Sequence, residues 1–322
     1  MKEITFINTN KKKWNTFEDE VSGKLAKVNP DELADSFIQL TDDLSYARTF
    51  FPESNIVPYL NSLTSKAHSL IYRNKKEKSS RLKHFFTTEL PLAVYAAQKE
   101  FLWSLTIFLI SATIGAVSAY ADADFLRVIL GDDYVNMTQN NIERGDPMGV
   151  YGNMDEGVMF LYITMNNICV SFIVFIFGML TPLGTGLHLF RNGIMVGSFL
   201  AFFAQKSLLT VSTLAIMLHG AIELSSIVLA GGAGFILGRS MLFPGTYPRK
   251  TALVAGVKRG TKIMIGLAPF FVIAGFIESF VTRHYNTMSM FTSLAIITVS
   301  LALIIGYFVI YPQIINSKTT NN

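Results

Sequence analysis

The chain has 322 residues, of which 50% are hydrophobic and 16% charged, with a net charge of +4 and a single cysteine. A soluble domain usually carries about a quarter charged residues, so this balance argues against a wholly soluble protein. One cysteine rules out an internal disulfide. The charges crowd into the first hundred residues and long apolar runs follow, the pattern of a polar part joined to a membrane part.

Residues 1–80 are predicted to form a cytoplasmic helical region of three or four helices. Met1 to Pro30 is charged throughout and has no apolar stretch of signal-peptide type, so the first span is expected to act as its own insertion signal. Asn29-Pro30-Asp31-Glu32 reads as a helix start, and Leu33, Phe37, Leu40 and Leu44 follow at helical spacing. Pro52-Glu53-Ser54 interrupts the pattern before a second apolar run from Val57 to Leu70.

Residues 81–100 are predicted to be a juxtamembrane amphipathic helix. The cluster Arg73, Lys75, Lys76, Lys78, Arg81 and Lys83 leads into Phe85, Phe86, Leu90, Leu92, Val94 and Tyr95. A short basic run beside a span suits an anionic lipid surface, and it is read so rather than as a nucleic-acid site.

A helical span needs about 20 mostly apolar residues. Six candidates lie within a membrane domain at 101–311: 101–121, 158–180, 187–204, 208–237, 263–281 and 289–311. The fold class is thus all-α and polytopic. The third candidate follows Thr181-Pro182-Leu183-Gly184-Thr185-Gly186 and is read either as a full span or as a broken, re-entrant element. The fourth ends in Gly231, Gly232 and Gly234, where a bend or a second short helix is anticipated, and Pro269 is expected to kink the fifth. Segment 122–156 is expected to be a polar extracytoplasmic loop and 312–322 a cytoplasmic tail.

Orientation follows from Lys and Arg. With the N-terminus inside, only Arg127, Arg144, Lys206 and Arg283 of the 27 basic residues fall outside. Both termini are therefore expected in the cytoplasm, in an inner (plasma) membrane.

The positions with chemical promise are polar residues inside apolar runs, which are costly in hydrocarbon and face a protein interior or cavity. His219 and Glu223 share a helix face at i,i+4, and Gly220 beside them is read as a point of close backbone approach. Three readings stay open for the pair: an interhelical hydrogen-bond clamp, a proton or ion relay, or a catalytic or metal pair. The lack of a second histidine at the same depth argues against zinc, and no metal or catalytic residue is assigned. Asn166, Asn167 and Asn192 in neighbouring spans complete a predicted polar core, while Glu278 is read as reaching the outer interface. Gly193-x-x-x-Gly197 and Gly234-x-x-x-Gly238 are small-residue faces for tight packing, expected within the chain, with a homo-oligomer left open. Cys169 is read as a small buried hydrophobe. No P-loop, dinucleotide fingerprint, nucleophile elbow or cysteine metal set occurs, so no cofactor is expected.

The ordered series Asn166-Asn167, Phe177-Gly178, Gly184-Thr185-Gly186, Asn192-Gly193-x-x-x-Gly197, His219-Gly220-Ala221-Ile222-Glu223-Leu224 and Gly231 to Gly238 resembles the stage II sporulation protein M family. The resemblance covers the central spans best. It implies a multi-spanning inner-membrane protein whose sporulation member anchors peptidoglycan-degrading partners and is not itself a known hydrolase. A scaffold for cell-envelope partners is the leading expectation. A transporter or channel using His219, Glu223 and Asn192 is the second, and an intramembrane enzyme the third.

Overall fold

The computed structural model describes residues 2–21, 30–71, 80–152 and 154–320. These fold into two compact units, residues 1–78 and 79–322, with no β-strand among the described residues. The basic residues Arg73, Lys75, Lys76 and Lys78 and the capping residue Asn29 lie outside the described residues.

The first unit consists of α1 (Glu3–Val21), α2 (Pro30–Phe50) and α3 (Ile56–Ile71). It has a core of its own, in which Trp14 and Phe17 meet Leu40, Leu44, Leu60 and Leu63. The buried indole N–H of Trp14 finds an acceptor in Asp43 at 2.8 Å, and Lys13 pairs with the same carboxylate. A buried Trp needs such a partner, because leaving a polar group unpaired costs about 1–3 kcal/mol.

The second unit opens with α4 (Ser80–His84), a π-helical turn and α5 (Leu90–Tyr95). Part of this segment, whose pattern is amphipathic, packs into the bundle. Leu90, Val94 and Ala97 are buried in the bundle core, and Tyr307 and Tyr311 donate to the carbonyls of Phe86 and Thr87. Gly266 gives the physical reason: it leaves no room for a Cβ beside Leu90, so α5 docks directly on a later helix.

Among the described residues, six helices are long and apolar enough to cross a membrane. They are α6 (Gln98–Ala121), α9 (Glu156–Phe177), α10 (Pro182–Gln205), α11 (Leu209–Leu242), α12 (Arg249–Phe276) with its continuation to Thr287, and α13 (Met290–Ile305) with α14 (Tyr311–Thr320). The third span is a full one. Thr181 caps α10 by accepting from the Gly184 N–H, and Pro182 occupies the first helical position, where its missing N–H costs nothing. The residues that read as a breaker are therefore a helix start. α11 runs unbroken for 34 residues through its glycines, and α12 begins at Arg249, earlier than hydropathy placed it, and continues through Pro269. Residues 312–320 of the tail are helical.

The bundle is organised around α11, most of which is buried, whereas α6, α9 and α13 expose long apolar side chains such as Leu102, Trp103, Leu161 and Val299. Small residues explain the wrapping. A Cβ on Gly231 would strike Ser104 and Leu189, one on Gly234 would strike Thr185, and one on Gly238 would strike Pro182. Gly193 and Gly197 press α10 against Ser111 and Ala112 of α6. Short side chains add hydrogen bonds between helices: Ser104 to the Val228 carbonyl at 2.6 Å, Thr185 to Val174 at 2.8 Å, and Ser198 to Gly115 at 3.1 Å. Each such bond contributes about 0.6 kcal/mol in a membrane interior. Gly220 does not belong to this set. Its Cβ would meet only side chains of its own helix, at 3.5 Å or more, so it opens space instead of closing it. Cys169 is exposed on the outer face of α9, not buried.

Segment 122–156 is folded as well. It forms α7 (Ala123–Leu130), α8 (Asp132–Glu143) and a short 3-10 turn at Gly149–Gly152. Its acids hold the fold together. Asp122 and Asp155 cap helices, Asp132 pairs with Arg127, and Asp146 accepts from Tyr285 and Asn286. Leu126, Val135, Met148 and Tyr151 bury against Met159, Phe202, Phe203 and Ala215 at that end of the bundle.

Candidate functional site

One face of α11 carries His219 and, a turn later, Glu223. The continuation of α12 brings a third group. At Ile277–Val281 the helix widens into a π-helical turn, a local irregularity often met at functional sites, and Glu278 sits on that turn. Its Oε1 lies 3.9 Å from Nε2 of His219. One ligand atom from each of His219, Glu223 and Glu278 falls within 4.8 Å of the others.

The imidazole is held from its other side. Nδ1 of His219 lies 3.1 Å from Oγ1 of Thr282, which is fully buried. Tyr151 packs edge-on against the ring, with centroids 5.5 Å apart. Asn167 approaches Glu223 from α9. The three acidic or basic groups and the asparagine line a cavity of about 480 Å³, closed in part by Tyr134 of α8 and Tyr151. Burial pushes the Tyr134 phenol up to about 12, and the nearby Glu278 charge adds to the shift. Burial likewise pushes Tyr151 well above its ordinary value, again with Glu278 close by. Two phenols that resist ionisation thus cover two carboxyls.

The expected polar core divides on this geometry. His219, Glu223 and Asn167 meet in the cavity, with Asn167 buried and Asn166 exposed at its rim. Asn192 is elsewhere: its amide donates to the His188 carbonyl one turn back in α10, and it lines no part of the cavity. Gly220 lines the cavity, which accounts for the open space beside it. Sequence reasoning put Glu278 at the outer interface and left out Thr282, Tyr134 and Tyr151. Glu278 and Thr282 are spaced i,i+4 near a span's end, a faint signal, while the tyrosines carried none.

A larger groove of about 1010 Å³ lies at the opposite end, between α6, α10 and α11. Its walls include Trp103, Leu187 and Phe235, and the Glu100–Arg239 ion pair, 2.6 Å long, sits at its edge. It holds no comparable cluster among the described residues, and its surface is largely apolar.

The family described as Stage II sporulation protein M matches residues 104–283, which includes every member of the cluster and also the 122–156 segment. A second family, described as a domain of unknown function (DUF8413), matches residues 4–73, the first helical unit. No curated protein matches the chain, and no solved structure does.

Proposed function

We propose a scaffold function for this chain, which belongs to the stage II sporulation protein M family. In this reading it is a multi-pass inner-membrane anchor with both termini in the cytoplasm, recruiting envelope proteins that remodel peptidoglycan. The family is not a known enzyme family, and the reading assigns no catalytic step. The observation that carries it is the folded α7–α8 segment. Anchored through Asp146 to Tyr285 and through Arg283 to Glu156 and the Met154 carbonyl, it is a fixed docking surface at one end of the bundle. The first helical unit is a second such surface.

The test is cross-linking and co-purification from native membranes. A captured protein with peptidoglycan-cleaving activity, lost when residues 123–143 are replaced by a short linker, is the expected result. No such protein on the intact chain, or equal capture after loss of both surfaces, overturns it.

One observation favours a second reading, a transporter or channel: the cavity holding His219, Glu223 and Glu278 in a span-rich bundle. Intramembrane ionisable groups often mark ion paths. It requires flux in proteoliposomes that Glu223→Gln abolishes while leaving the fold intact. An inert wild type across a panel of ions and solutes removes it.

A further inference from the structure

We infer that His219, Glu223 and Glu278 form a binding site for one divalent first-row transition-metal ion, of which Zn²⁺ is the representative. The directions of the lone pairs carry this assignment. In the tautomer whose Nδ1–H donates to Thr282 Oγ1, the lone pair of His219 Nε2 faces Glu278. At 3.9 Å the Nε2–Oε1 pair is too long for a hydrogen bond. Three electron-pair donors therefore converge without satisfying one another, all within 4.8 Å.

A metal ion resolves this. Nitrogen and oxygen ligands about 2.0–2.2 Å from a tetrahedral zinc stand roughly 3.3–3.6 Å from each other. The observed 3.9 Å is somewhat wider, and rotation of the carboxylate side chains closes it and the widest pair, which lies within 4.8 Å. Charge points the same way. Two carboxylates in an apolar interior are costly, and a dication neutralises both.

A second, independent observation points to a ligand. Asn167 is 5% exposed, its Nδ2 makes no hydrogen bond of normal geometry although Glu223 faces it, and it lines the same cavity from a different helix. A metal-bound water or anion at the fourth position would accept from it. Thr282 is then a positioning residue that fixes the imidazole, as outer-shell partners of metal-bound histidines do. The imidazole sets the class, because Mg²⁺ and Ca²⁺ prefer all-oxygen sites.

The experiment uses the full chain in detergent, stripped with a chelator. Zn²⁺ is titrated calorimetrically, and Co²⁺ reports coordination through its visible absorption. One ion per chain is expected, undisplaced by equal Mg²⁺ or Ca²⁺. Binding should be lost in Glu278→Gln and His219→Ala, and weakened about 10–100-fold in Thr282→Val. Circular dichroism and elution volume establish that each variant folds. Should the ligand variants fail to fold, X-ray absorption on the wild-type zinc form decides alone, and one imidazole nitrogen with oxygen neighbours is expected. Absence of a stoichiometric ion, an ion retained by folded Glu278→Gln and His219→Ala, or a shell without imidazole overturns the inference. Partner capture by the scaffold is read out separately and does not depend on the ion.

Discussion

Nε2 of His219 on α11 and Oε1 of Glu278 beyond the end of α12 face each other at 3.9 Å across a helix–helix contact. The pair joins the most buried helix of the bundle to the π-helical turn at the end of the fifth span. Sequence patterning places the first residue in the bundle interior and leaves the second at an interface. The difference is one of backbone geometry, since the π turn redirects the Glu278 side chain inward.

The glycines of α10 and α11 are not equivalent. In Gly197→Ala the new methyl meets the backbone of Ala112, which cannot yield as a flexible side chain can. Overpacking of this kind costs about 1–3 kcal/mol. Gly220→Ala places its methyl in ordinary contact only, so a change within about 1 kcal/mol is expected. Thermal melts of both variants in one detergent check the contrast, and equal melting points would refute the packing account.

Arg283 ties the end of the fifth span to the segment above the cavity. Its guanidinium donates to the Met154 carbonyl at 2.7 Å and pairs with Glu156 at 2.8 Å. Hydrogen bonds to charged groups contribute about 1.5–3 kcal/mol. Arg283→Met should therefore loosen residues 146–156, seen as faster amide exchange there and unchanged exchange in α11. Exchange that stays the same in that segment would show that the tie is dispensable.

The raised phenol of Tyr134 has a pH signature. The folded state keeps the proton up to about 12, while the unfolded chain loses it near the ordinary 10. Stability from this group is intact below about 10 and declines as the pH rises through about 12. Two units correspond to on the order of 2 kcal/mol. Tyr134→Phe should consequently show a shallower fall in melting temperature between pH 10 and 12. Parallel curves for the two proteins would count against the burial of this phenol.

An even number of spans puts both ends of the membrane unit on one side. In a Cys169→Ala background, cysteines introduced at Lys250 and Lys318 should react with a membrane-impermeant maleimide only after the cytoplasmic face is opened. One at Asn140 should react from the other side. Labelling of Asn140 and Lys318 positions from the same side would reverse or break the topology.

Much of this architecture was legible because the membrane imposes it. Span length, the small-residue faces at Gly193, Gly197, Gly234 and Gly238, and the helix-bound polar pair at positions 219 and 223 follow from rules of period and solvation. What was not legible depends on tertiary context. Thr181-Pro182 reads equally as a break or a cap, and only a helix continuing past Gly186 decides between them. Asn192 looked like a core residue because nothing in the chain shows which side of α10 faces the cavity, or that its amide returns to His188. Tyr134 and Tyr151 reach the site through the fold of α7–α8, which acidic composition disguised as a solvated loop.

The wrapping of α11 divides the molecule into an inside that is private and an outside that is public. Its small residues and its chemistry are read only by its own neighbours, so drift there is constrained by the chain's own architecture. The lipid-facing sides of α6, α9 and α13 carry no such obligation. A substitution there meets no neighbour within the chain that it must fit.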